Sequence, residues 1–370
     1  MNHHWKVGLA ALLGLSVLVD GSALGQDGPG NQTNEHAKPI DAAVIAKVVQ
    51  KLADKLDTDY VFPETATKMS AALREKLANK GYDSCATAQD LAKQLTDDLQ
   101  AISKDKHLRV NSSARKLPEP PVGGPTPEMR KKMEAMSRRM NSAFVKVERL
   151  PGNIGLLELR GFSDRKGAED TAAAAMNFLA GTDALIIDLR QNGGGSPHMV
   201  QLLCSYLLPA DKPTHLNTMY HRKGDRTEEF WTVKEVAGKR YLDRDVYILT
   251  SHRTFSAAEE FTYNLKNLKR ATIVGETTGG GAHPGGMVPL GDNFAAFIPT
   301  GRAINPITKT NWEGTGVKPD VEVEAGKALD SAREMAVKKL RETLTDPEAK
   351  EFLDRDLRMR QRAEKERESP

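Results

Sequence analysis

Cysteine is nearly absent: Cys85 and Cys204 are the only two in 370 residues. A disulfide framework is therefore excluded as the source of stability, although a single bridge is allowed in an oxidising compartment. The two cysteines fall in what read as different domains, so two separate thiols are expected. Neither stands beside a histidine in a way that would make a thiolate nucleophile. An excess of charge of one sign is missing too: 53 Lys and Arg face 50 Asp and Glu, a net +3. No basic stretch is interleaved with stacking aromatics, so no nucleic-acid partner is expected. Only one long apolar run occurs, near the N-terminus, and no membrane anchor is expected once it is removed. There is no internal repeat. No G-x-G-x-x-G occurs, and no glycine loop is followed by Lys-Ser or Lys-Thr, which argues against a phosphate loop. No cofactor or metal is called for.

What is present reads in order along the chain. His3, His4 and Lys6 precede the apolar run Val7 to Val19, and Ala23-Leu24-Gly25 supplies small residues for cleavage before Gln26. Residues 1–25 are therefore expected to be a secretory signal peptide, and the protein periplasmic or extracellular. Residues 26–40 form a flexible leader. Residues 41–111 form a helical N-terminal domain of three amphipathic segments. Their apolar faces are Val44, Ile45, Val48, Val49 and Leu52; Ala66, Met69, Leu73 and Leu77; and Leu91, Leu95, Leu99 and Ile102. Pro63 can open the second helix, and Thr87 with Asp90 has the spacing of a capping box. A linker rich in Pro, Gly and Met covers residues 112–141. Met129, Met133, Met136 and Met140 in it have helical spacing and are expected to pack on the body. Residues 142–345 alternate strands and helices, and 346–370 are a charged tail, a solvated helix or fray.

Within the α/β region, Ala184-Leu185-Ile186-Ile187 is apolar enough to be a central strand buried on both faces. It leads into Asn192-Gly193-Gly194-Gly195. A second apolar run, Val246 to Leu249, leads through Thr250 to Phe255 into Ser256-Ala257-Ala258-Glu259-Glu260-Phe261. A third, Ala271 to Val274, ends in Gly275-Glu276-Thr277-Thr278-Gly279-Gly280-Gly281. The reading is strand, turn, helix, strand, glycine loop. Ser256 at the first turn of a helix can be an N-cap or a mounted nucleophile. The Gly193–Gly195 run can be a tight turn or a set of N–H groups for an oxyanion.

Four segments in this order resemble the tail-specific (carboxyl-terminal processing) serine protease superfamily: Ile187 to Gly195, Ser256 to Phe261, Val274 to Gly280, and Gly314-Thr315-Gly316-Val317-Lys318-Pro319-Asp320. The Asp59 to Glu64 stretch resembles the branch that holds the modules of interphotoreceptor retinoid-binding protein and the tricorn protease core. The resemblance spans about residues 40–340. It implies an α/β fold with a crossover-linked, ClpP/crotonase-like sheet, and no PDZ domain is evident. By resemblance Ser256 is the nucleophile. The lysine base of the processing proteases is missing, since Gly281 stands at its place. The tricorn-like branch instead uses a histidine and a glutamate, which His107 and Glu313 match. An imidazole suits the task, because a serine hydroxyl needs a base at neutral pH. His283, in the glycine loop, is the second-choice base. His198 and His252 flank the site loops. Glu259 and Glu260 read as first-turn acids that favour the helix dipole. The oxyanion hole is expected from the N–H groups of Gly194 and Ala257. The expected activity is hydrolysis of a peptide or protein substrate. The alternatives are a non-catalytic module for peptides or apolar, retinoid-like ligands, and an esterase or amidase with the same triad.

Overall fold

The computed structural model describes residues 39–113 and 124–368. The expected signal peptide, most of the leader and the proline cluster at 118–121 lie outside them. The described chain forms two compact units.

The helical unit takes in the chain up to Arg130 together with residues 221–226 and 283–302. Its helices are α1 (Ala42–Asp59), α2 (Pro63–Ala78) and α3 (Ala88–Ser103). Their buried faces are those the periodicity marks, with Val48, Val49, Leu52, Met69, Leu91, Leu95 and Leu99 fully enclosed; Ile102, at the end of the third stripe, is exposed. Pro63 occupies the first turn of α2, and Thr87 and Asp90 form the capping box of α3. After α3 come β1 (Arg109–Ser112) and, far downstream, β9 (Gly285–Gly291) and β10 (Phe294–Pro299). These make an antiparallel sheet in the order β1–β10–β9. The helices meet it directly: Val61 N–H donates to Pro299 O at 2.9 Å.

The sheet unit is built on six strands in the order β12–β8–β7–β4–β3–β2. They are β2 (Phe144–Leu150), β3 (Ile154–Leu159), β4 (Ala184–Asp188), β7 (Asp245–Thr250), β8 (Thr272–Gly275) and β12 (Val321–Glu322). Only β2 runs antiparallel to its neighbour. Period-2 alternation divides the strand side chains between two cores. Leu157, Leu185, Ile187, Val246, Ile248 and Ile273 face α5 (Ala168–Leu179), α6 (Pro197–Leu207) and α7 (Ala257–Asn267). Leu156, Ile186, Tyr247, Leu249 and Val274 face α8 (Ala328–Thr343). The result is a three-layer α/β/α arrangement. All five residues of β4 are buried, the four apolar ones as their unbroken run requires and Asp188 at its end. The remaining strands β5 (His215–His221) and β6 (Arg226–Trp231) lie side by side, with β11 (Gly301–Ile304) on the other flank of β5. Cys85 and Cys204 are buried free thiols.

Two expectations need correction. The Met-rich segment does form a helix, α4 (Pro127–Arg139), but none of its residues is buried, and Met136 is 55% exposed. One Met per turn among eight charged or polar neighbours is too narrow a stripe to be held in a core. The charged tail is a helix, α9 (Pro347–Glu368), and its start is docked rather than solvated. Leu353 joins the α8 core, and Gly152 N–H donates to Asp356 Oδ2 at 2.7 Å.

Candidate active site

In the sheet unit, the turns after β4 and β7 are tied to each other. Ser251 Oγ donates to Arg190 O (2.6 Å), Thr254 Oγ1 to Leu189 O (2.8 Å), and Phe255 N–H to Asn192 O (3.0 Å). The tie forces the backbone of the next residue. Ser256 has φ 56° and ψ −121°, a region that costs a non-glycine residue about 1–3 kcal/mol unless its surroundings impose it. An N-cap serine sits in the β region and turns its hydroxyl onto the helix N–H groups. Ser256 lies outside the β region, and the N–H groups of Glu259 and Glu260 bond to its carbonyl, at 2.9 and 3.0 Å. This strand-to-helix elbow, with a half-buried hydroxyl at its apex, is the geometry in which serine nucleophiles are mounted.

The glycine loop backs the elbow. Asn192 is wholly buried; its Nδ2 donates to Leu159 O and its Oδ1 accepts Gly194 N–H, both at 2.9 Å. Gly194 has φ 108°, and a Cβ on it would lie 2.7 Å from Ser256 Cβ and 2.9 Å from Phe255 O. Only glycine allows this approach. Ala257 opens α7, where its N–H has no intrahelical acceptor. Of the two expected oxyanion donors, Ala257 thus has its N–H to offer, while that of Gly194 is engaged by Asn192.

Glu259 goes well beyond a first-turn acid. Fully buried, it accepts Ser256 N–H (2.9 Å), Gly280 N–H (2.6 Å), Gly281 N–H (2.8 Å) and Thr278 Oγ1 (2.5 Å). It therefore pins the elbow to the second glycine loop. Burial pushes its carboxyl up to about 7, against the four donors, which favour the ionised form. Glu260, also buried, is pushed up to about 7 by burial, with Asn217 opposing. The spacing Ser256-x-x-Glu259 is that of a capping box, and this signal marks Glu259 as a backbone acceptor.

Glu313 stands on a loop laced to the same glycine run. Trp312 Nε1 donates to Gly281 O (2.7 Å), Gly314 N–H to Gly280 O (2.9 Å), and Ala282 N–H to Glu313 Oε2 (2.5 Å). Ser256, Gly194, Ala257 and Glu313 are thus all carried by the sheet unit. His252, one turn from the elbow, is exposed and pairs with Glu276 through Nδ1 at 3.1 Å. His198 is exposed and lies against the Phe230 ring.

His107 and His283 belong to the helical unit, and the structure brings them to one carboxylate. Asp105, with no exposed surface, accepts His283 Nδ1 at 2.7 Å on Oδ2 and the His107 backbone N–H at 3.0 Å on Oδ1. The His107 ring stacks on Phe297, with centroids 5.4 Å apart. Burial lowers its pKa to about 4; Arg109 and His283 act in the same sense and Asp105 opposes. His107 is therefore a neutral imidazole, able to accept a proton, throughout the neutral range.

Residues 153–323 match the family described as peptidase family S41, and residues 42–151 match the N-terminal domain of peptidase S41 in eukaryotic IRBP. A carboxy-terminal-processing protease of Bartonella bacilliformis is 28% identical over 181 residues, which is 48% of this chain and 40% of the relative. The chain thus matches less than half of that relative's length. Mature CPAF has a similar structure, with a TM-score of 0.54 at 14% identity, covering 85% of this chain and 99% of that one. The tricorn protease gives 0.52 at 16% identity, covering 80% and 37%. At such identities the structural likeness is one of fold.

Proposed function

We propose that this chain, which matches peptidase family S41 over residues 153–323 and the S41 N-terminal domain over 42–151, is an exported serine peptidase that works through an acyl-enzyme on Ser256. The observation that carries this reading is the Ser256 elbow, a strained backbone at the strand-to-helix turn with glycine packed behind it. In the proposed course, Ser256 Oγ attacks the peptide carbonyl carbon and its proton passes to the imidazole of His107. The oxyanion is met by Ala257 N–H and by Gly194 N–H once this exchanges Asn192 Oδ1 for the oxyanion. As the C–N bond breaks, the imidazolium returns the proton to the leaving amine. Water then repeats the sequence on the ester. Glu313 is assigned the task of orienting the base, as the resemblance implies. The Asp105–His283 bond supports a second arrangement, in which His283 Nε2 is the base.

Fluorophosphonate labelling followed by mass spectrometry tests the nucleophile and separates the two bases. An adduct on Ser256 that is lost in His107→Ala and kept in His283→Ala supports the first arrangement; the reverse supports the second. The labelling rate against pH gives an independent sign. A base lowered to about 4 loses its proton-accepting form only as pH falls through that value. Labelling through His107 should therefore hold down to about pH 5. A decline beginning near 6.5, the ordinary imidazole value, would remove His107 from the base role. Because Glu259 is raised to about 7 in the same loop, the profile is read against that of Glu259→Gln. Absence of any adduct in folded protein would overturn the peptidase reading. Export rests on the pattern of residues 1–25. It requires the N-terminus of the exported protein to be Gln26, and one found at Met1 would refute it.

A further inference from the structure

Asp105 lies in the short turn between α3 and β1, where three separate stretches of chain meet inside the helical unit. Lys104 ends α3 in the left-handed conformation (φ 58°) and turns the chain inward. Asp105 follows with its carboxylate fully enclosed. Such a group is stable only if donors surround it. Three do: Tyr60 Oη at 3.1 Å and His283 Nδ1 at 2.7 Å on Oδ2, and His107 N–H at 3.0 Å on Oδ1. Tyr60 is itself held in place, since Arg222 Nη1 donates to its carbonyl at 2.6 Å. Phe62 meets the His283 ring edge-on at 5.2 Å, which fixes the plane of the imidazole.

The bond to His283 has a chemical consequence. A carboxylate only accepts, so Nδ1 carries the hydrogen, and in the neutral ring Nε2 is left with the lone pair. The bond to His107 acts differently. It holds the backbone two residues on, and so sets where the His107 ring begins. Both imidazoles singled out as candidate bases thus take their placement from one buried carboxylate.

We propose that Asp105 is a positioning residue of the catalytic machinery, fixing His283 as the Nδ1–H tautomer and holding the His107 backbone. The proposal deepens the peptidase reading and rests on Ser256 being served by a histidine base. Asp105 touches neither substrate nor reacting atoms; its effect runs through the two rings. Replacing Asp105 with Asn keeps the shape but removes the charge that selects the His283 tautomer, and its single amide oxygen cannot accept both His283 Nδ1–H and His107 N–H, so the placement of one ring or the other is lost. The expected result is a fall in kcat and in the rate of Ser256 labelling on the order of 10²–10⁴-fold. KM should stay within about threefold, since the uniform binding of substrate is untouched.

The tautomer can be read without any variant, in the full chain labelled with ¹⁵N-histidine, from the long-range proton–nitrogen couplings of the His283 ring. A hydrogen on Nδ1 is expected, and a hydrogen on Nε2 would overturn the proposal even if Asp105→Asn failed to fold. A folded Asp105→Asn protein with the labelling rate of the native chain would overturn it equally. These outcomes differ from a failure of the peptidase reading itself, in which the native chain would show no adduct on Ser256.

Discussion

Ser256→Ala should abolish peptide hydrolysis and fluorophosphonate labelling while leaving the melting temperature unchanged within about a degree. Loss of the nucleophile in a serine peptidase costs on the order of 10⁶-fold in kcat. The fold should register little of the change, because the helix start is held mainly by groups other than the hydroxyl. The helix is capped through the Ser256 carbonyl and the Glu259 carboxylate. Alanine keeps the Cβ, so the strain at φ 56° is retained as well. Ser256→Gly is the informative partner. It should be equally inactive, but glycine adopts this backbone freely, so relief of strain offsets the larger entropy of the unfolded chain. The net is expected to be a gain of up to about 1 kcal/mol over Ser256→Ala. Calorimetry on the two variants measures it. A Ser256→Ala protein that still cleaved peptide would refute the assignment of the nucleophile.

The second large effect is expected one loop away. In Gly194→Ala the new methyl would meet Ser256 Cβ at 2.7 Å, Phe255 O at 2.9 Å and Ala257 N at 3.0 Å. All three are backbone or joined directly to it, so no side-chain rotation makes room. The φ of 108° adds strain of its own. Relief has to come from parting the glycine loop and the elbow, which would break the Phe255 N–H to Asn192 O bond. Stability should fall by about 2–4 kcal/mol, combining overpacking with a forbidden backbone. Labelling of Ser256 should fall by at least about 10²-fold, the usual cost of a displaced oxyanion donor. Gly193→Ala is the control. Nothing lies within 4 Å of a Cβ there, and both measures should stay near native values. Denaturant titration and labelling rates on the pair test the contrast, and equal behaviour of the two variants would remove Gly194 from the site.

Much of this architecture is legible in the chain because its cause is local. The three helical stripes, the Thr87–Asp90 box, the start at Pro63 and the doubly buried β4 follow from periodicity and end signals, and apart from the exposed Ile102 each stands where those signals put it. The order strand, elbow, helix, strand, glycine loop is similarly written in apolar runs and turns. What is not local is not legible. Arg109 pairs with Phe297, and Asp105 with His283, across nearly half of the chain, and neither partner carries a mark that names the other. Glu259 is a case of a signal present but under-read. Two neighbouring acids at a helix start suggest a dipole effect, whereas only burial reveals that the first gathers four donors. The Met stripe of α4 errs the other way, since its spacing promises packing that the apolar area of one residue per turn cannot supply.

The composition of the helical unit also sets a timetable for its making. The three helices leave the ribosome first, yet the strands that complete their sheet, and the 221–226 stretch that anchors Tyr60 through Arg222, come much later. Val61 waits for Pro299, and β1 waits for β10. At synthesis rates of about 5–20 residues per second, β1 stays an open edge for some 10–40 seconds. In that interval the nascent protein offers unpaired strand to its neighbours, the circumstance in which chaperones find their clients. The carboxylate that gathers the two imidazoles is likewise complete only when His283 arrives. The arrangement delays assembly of both candidate bases until the Ser256 segment has already been synthesised, so that no half-made chain carries a finished base.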